Sequence, residues 1–162
     1  GALACTKKAE QPAAPPAEQA PAAAPAAAAP TETLDASKAT ASLEIGSDGD
    51  AIAFDKKELT AKAGEIVKLT FKNNSSSSAM QHNFLVVQPG KESEVDQAAL
   101  TAGAEKGWTP VGHPAVIANT RLLNPGESET IVFRAPAQAG DYPFLCTFPG
   151  HSAAMRGVFK VQ

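Results

Sequence analysis

One stretch near the C-terminus, Cys146-Thr147-Phe148-Pro149-Gly150-His151-Ser152-Ala153-Ala154-Met155, places a thiol, an imidazole and a thioether within ten residues. A Cys–His nucleophile would need an acid to orient its base, and none follows. It would also leave Met155 without a role. A second imidazole, His82, stands 64 residues before the cysteine, in Met80-Gln81-His82-Asn83-Phe84. Two imidazoles and one thiolate, with a weak axial thioether, are the donor set of a blue copper site. Thiolate and thioether favour Cu(I), and imidazole suits both oxidation states, so the mixed set serves Cu(I) and Cu(II) alike. The expected ligands are His82, Cys146, His151 and Met155, and the expected cofactor is one copper ion per chain.

A lone histidine on a strand is more often structural, and a lone methionine more often fills a core. Here the chain has three histidines, two methionines and two cysteines, and two His and one Met gather with Cys146. The third histidine, His113, precedes Pro114 and reads as a surface residue. Met80 reads as packing. A zinc site would rarely recruit a methionine. A copper enzyme would need a second metal centre with further histidines, including one beside the cysteine, whereas Thr147 follows Cys146 and only His113 is spare. A copper carrier would expose a Met- or His-rich site open to exchange. The reading is therefore a non-enzymatic redox site.

Such donors need rigid elements beneath them. Val67, Leu69 and Phe71 alternate with Lys68, Thr70 and Lys72, the period-two pattern of a half-buried strand. Residues 129–134 and 157–161 alternate likewise, and Phe84-Leu85-Val86-Val87 is a short apolar run. Turn signals separate them: Ala63-Gly64, Asn73-Asn74, Pro89-Gly90, Asn124-Pro125-Gly126, Ala139-Gly140 and Pro149-Gly150. Short strands between regular turns predict an all-β sandwich. One segment differs. Glu92 to Lys106 carries Val95, Ala98, Ala99 and Ala102 at helical spacing behind acidic residues, which predicts one short helix. A strand ending at Cys146 and a loop returning through Pro149-Gly150 would wrap three donors around one ion, leaving His82 to come from a neighbouring strand.

Ahead of this domain the composition changes. Residues 6–36 are mostly Ala and Pro, with Pro12, Pro15, Pro16, Pro21, Pro25 and Pro30 breaking any helix. The segment is expected to be a disordered, polyproline-like tether, spanning at most ~90 Å at about 3.1 Å per residue. Residues 1–5, Gly-Ala-Leu-Ala-Cys, resemble a lipoprotein cleavage site or a signal remnant, with Cys5 as the candidate lipid attachment. Its Leu3 stands one place nearer the cysteine than that pattern usually has it. The copper domain is assigned to residues 37–162. A formal net charge of −3 gives no basic patch for nucleic acid. No run of eighteen apolar residues is present to span a membrane. Membrane contact would come through the N-terminal anchor, at the outer face of the cytoplasmic membrane or in the periplasm.

Cys146-x4-His151-x3-Met155 with an upstream His82-Asn83 resembles the cupredoxin family over roughly residues 40–162. The loop length is similar to azurin rather than plastocyanin. The resemblance implies an eight-stranded Greek-key sandwich with copper near one end, and a side chain at Asn83 that ties the two ligand-bearing loops together. The azurin disulfide has no counterpart, because the domain has one cysteine. Gln81 stands where azurins have a glycine whose carbonyl makes a distant fifth contact, so a four-coordinate site is expected. The function implied is single-electron transfer by a monomer. The implied partners are a redox donor and acceptor, such as a quinol-oxidising complex, a reaction centre or a cytochrome. The expected electron-transfer surface is the His151 edge with Phe148 and Pro149.

Overall fold

The computed structural model describes Gly1 and residues 33–162. Cys5 and most of the Ala/Pro tether lie outside the described residues. Eight strands and one α-helix follow in the order β1 (Ala41–Gly46), β2 (Glu58–Ala61), β3 (Ile66–Lys72), β4 (Leu85–Val87), α1 (Glu92–Ala102), β5 (Val116–Asn119), β6 (Ser128–Arg134), β7 (Gly140–Leu145) and β8 (Arg156–Val161). They form a three-stranded sheet in the order β1-β3-β6 and a five-stranded sheet in the order β2-β8-β7-β4-β5. The β1–β3 and β2–β8 pairs are parallel and the other pairs antiparallel. The expected sandwich is thus present, with the strands of each sheet drawn from distant parts of the chain.

The alternation in β3 does what its period requires. Val67, Leu69 and Phe71 are buried and Lys68 and Lys72 are exposed. β4 has no alternation because it is covered on both faces. Val86 faces the main core, while Leu85 and Val87 pack with Val95 of the helix, Ala115 and Leu145. The main core centres on Phe54, whose ring meets Phe71, Phe84 and Phe144 edge-on at centroid separations of 5.8, 5.8 and 5.3 Å. Cys146 and Met155 belong to that same buried cluster, so the donor end of the molecule is continuous with the core.

One element differs from expectation. The helix predicted to reach Lys106 stops at Ala102. Gly103, with φ 73° and ψ 180°, breaks it, and Ala104–Lys106 form a single 3-10 turn. The strand expected to run up to Cys146 is β7, which forms with Pro143 in its middle. Its partner β4 pairs only with Phe144 and Leu145, so at Pro143 the strand is an edge on that side, where a missing backbone donor is tolerated.

Gly157 in β8 marks the tightest packing between strand and core. A Cβ built there would overlap the Phe144 ring and approach the Lys57 carbonyl to 2.6 Å. We expect Gly157→Ala to lower stability by about 1–3 kcal/mol through overpacking, read as a lower urea midpoint at unchanged slope.

Candidate metal centre

The C-terminal donors come from one loop between β7 and β8. Cys146 follows β7 directly, and its N–H donates to the Met155 carbonyl at 3.0 Å, closing the loop at its base. Within it, the His151 N–H donates to the Phe148 carbonyl at 2.9 Å across Pro149-Gly150. Gly150 has φ 82°, so this is a type II turn, with Pro fixing the first central position and Gly supplying the left-handed second. The Met155 N–H then donates to the His151 carbonyl at 2.8 Å. Those backbone bonds set the spacing of the Cys, His and Met side chains.

His82 arrives three residues before β4 rather than within it. Its backbone is bonded both ways to Leu123: its N–H donates to the Leu123 carbonyl at 3.1 Å and its carbonyl accepts from the Leu123 N–H at 2.8 Å. Asn73, fully buried, locks this pair. Its Nδ2 donates to the Leu123 carbonyl at 3.0 Å and to the Met80 carbonyl at 2.8 Å. The Nε2 of His82 is buried and has no hydrogen-bond partner among the described residues. Ligating histidines usually fix their rings through that second nitrogen. Here that nitrogen has no such bond, and the backbone clamp fixes the main chain from which the ring projects.

The three strong donors converge. Cys146 Sγ lies 3.9 Å from His82 Nδ1 and 3.8 Å from His151 Nδ1, and one donor atom from each of the three residues falls within 4.8 Å of the others. Among the described residues this is the only such group. First-row metal bonds of about 2.0–2.1 Å to nitrogen and about 2.3 Å to sulfur give an N···S separation near ~3.8 Å at 120° and ~3.5 Å at the tetrahedral angle. The two N···S spacings match the trigonal arrangement, the one that blue copper adopts. The donor set and its spacing therefore fit copper. Met155 is fully buried in the core cluster with Cys146, on the loop's last residue before β8.

Burial sets the charge of these groups. Desolvation, with the nearby His151 second, pushes His82 down from 6.5 to about 4, and desolvation lowers His151 as well. Desolvation pushes the Cys146 thiol up from 9.0 to about 11, against hydrogen bonding that favours the thiolate. At neutral pH the imidazoles are held neutral, as metal ligands must be, and the thiol must give up a proton when an ion binds.

Asn83 links the two ligand segments. Its Oδ1 accepts from the Thr147 N–H at 2.8 Å, and its Nδ2 donates to the Thr147 hydroxyl at 2.8 Å and the Thr109 hydroxyl at 3.0 Å. Of the four expected ligands, His82, Cys146 and Met155 have no exposed surface, and His151 retains 6%. Phe148 and Pro149 beside it are half-buried, and the Phe148 ring lies 4.7 Å from the His151 ring. Met80 is half-buried and Gln81 turns its side chain to Asn124, donating at 2.7 Å. His113 lies outside the donor group. Rather than standing free at the surface, it is 22% exposed, accepts from the Ala115 N–H at 3.2 Å and lies 3.7 Å from Glu94. Asn73 and Thr109 escape sequence reasoning, because no spacing relates them to the donors they support.

A family model for copper binding proteins of the plastocyanin/azurin family matches residues 41–162. The chain belongs to this family. It is similar to auracyanin-A of Chloroflexus aurantiacus, with 42% identity over 123 residues covering 75% of this chain and 74% of the relative. It is also similar to azurin of Bordetella pertussis, at 30% identity covering 76% and 85%. Among solved structures it is similar to dithionite-reduced auracyanin from the photosynthetic bacterium Roseiflexus castenholzii. That match has 44% identity, covers 76% of this chain and 98% of that one, and has a TM-score of 0.70.

The shifts give the metal-free protein a stability plateau. A histidine held neutral below its unfolded value binds its proton more readily once unfolded, so acid favours unfolding. Stability due to His82 is complete above about pH 6.5 and is lost as pH falls toward about 4. The thiol acts at the other end, where rising pH from 9.0 to about 11 ionises the unfolded chain first. Urea midpoints of the metal-free chain should be highest near pH 7–8 and fall on both sides, and a copper-loaded chain, which needs all its donors unprotonated, should start higher and fall more steeply in acid.

Proposed function

We propose that this chain is a type 1 copper electron carrier, with His82, Cys146, His151 and Met155 holding one copper ion that supplies reversible one-electron chemistry. The reading rests on three donors meeting in a buried pocket, with both N···S spacings those of a trigonal site. The chain's own contribution is to hold the two nitrogens and the sulfur fixed whichever oxidation state is present. Leu123 and Asn73 clamp the backbone around His82, Asn83 ties its strand to the Cys146 loop, and the Cys146–Met155 bond closes that loop. A site whose ligands barely move has little to reorganise when an electron enters or leaves.

His151 is the electron port in this reading, because it alone among the ligands keeps accessible surface, beside half-buried Phe148 and Pro149. A small, weakly charged face suits brief redox encounters. The partners proposed are redox proteins that give and take single electrons. Likeness to auracyanins favours a membrane quinol-oxidising complex as donor and a reaction centre or cytochrome as acceptor. Lipidation of Cys5 would hold the domain at the outer face of the cytoplasmic membrane or in the periplasm. The Ala/Pro segment would set its reach. No helix among the described residues is long and apolar enough to cross a membrane.

The copper(II)-loaded chain should show an intense thiolate-to-copper band that bleaches on reduction. Cys146→Ser should abolish that band and leave the far-ultraviolet circular dichroism of the sandwich in place. A colourless Cu(II) complex would argue against the carrier reading. For the anchor, mass spectrometry of the N-terminal peptide from native membranes should find acylated Cys5, and an unmodified cysteine would remove that part of the proposal.

A further inference from the structure

Among the described residues, Trp108 alone of the non-glycine residues has a positive φ, at 52°. A bulky side chain takes this conformation only when its surroundings compel it, since Gly, Asn or Asp would do so at less cost. It follows Gly107, also left-handed, where a Cβ would come within 2.9 Å of Leu122. Leu122 precedes the Leu123 that clamps His82. The left-handed pair therefore sits against the segment holding one ligand.

The same turn reaches the other ligand segment. The Thr147 hydroxyl, one residue from Cys146, donates to the Trp108 carbonyl at 2.7 Å, and the Thr109 hydroxyl donates to the Gly107 carbonyl at 2.9 Å. Both hydroxyls accept from Asn83 Nδ2. The two amide hydrogens of Asn83 thus pass through two hydroxyls to two successive carbonyls, and each hydroxyl has its single proton committed. The indole itself meets the Phe148 ring edge-on, with centroids 6.5 Å apart at 76°, and Phe148 in turn lies against His151.

We infer that Trp108 is a positioning residue of the metal centre, held left-handed so that its carbonyl anchors Thr147 while its ring braces Phe148 against His151. The inference rests on the copper reading above, and two variants separate its arms. Trp108→Gly keeps the backbone conformation without steric cost and removes the ring. Thr147→Val keeps the shape of its side chain and removes the hydroxyl.

In the copper-loaded full-length chain, each variant should shift the reduction potential and the thiolate-to-copper band, and lower copper affinity roughly tenfold. In the metal-free chain, Trp108→Gly should speed amide hydrogen exchange at His151, and Thr147→Val at Thr147. Trp108→Phe, which retains a ring, should fold where the glycine variant does not and should give a smaller shift of the same sign. The inference is overturned if the variants lower the unfolding midpoint yet leave band, potential and exchange as in the parent. A parent chain with no band would sink the redox reading instead, leaving the exchange measurements to decide the role of Trp108. Trp108 is also the sole tryptophan, so its emission reports the site directly. Cu(II) should quench it in the parent at one equivalent, and unchanged emission would place the indole away from the ion and count against the inference.

Discussion

Three polar donors converge on one point inside an apolar core, and without an ion they are poor neighbours for one another. Burying such groups unpaired costs free energy. The protein limits that cost by keeping all three uncharged, with both imidazoles neutral and the thiol protonated. The donors are then close enough for long, weak N···S contacts and too constrained to collapse into better ones. What resists the collapse is the scaffold, not the donors themselves.

The resistance has two sources. The first is packing: Cys146 and Met155 share a cluster with the Phe54, Phe84 and Phe144 rings, so displacing either ligand disturbs the centre of the sandwich. The second is a set of hydrogen bonds between segments far apart in sequence. Leu123 and Asn73 hold the His82 backbone, and Asn83 holds the Cys146 loop at Thr147. Neither source is a bond to a metal, so both act on the donors whether or not an ion is bound.

The C-terminal donor loop is legible in the sequence because all its information is local. Spacing within ten residues, a Pro-Gly turn and one cysteine suffice. His82 is legible only once a chemistry has been assumed, since a single histidine has no local signature. Strands such as β3 announce themselves by alternation, whereas β7 is legible only from the cysteine that follows it, because the tolerance of Pro143 depends on how far β4 extends beside it. The helix end at Gly103 could be read from the glycine itself, but the good helix formers beyond it, Ala104, Glu105 and Lys106, mask the break. Asn73, Thr109 and Trp108 touch the site only through contacts that the topology creates, and no period or motif encodes them.

Chain order gives the site a history. His82 lies in the middle of the chain, while Cys146, His151 and Met155 all fall within its last 17 residues. The closing β8 pairs with β7 beside it and with β2 from the first half. During synthesis His82 and its clamp therefore emerge before the three loop donors, and the thiol is sealed into the interior when β8 finds its partners. The strand pairing that completes the five-stranded sheet is thus also what shuts the reactive sulfur away from solvent.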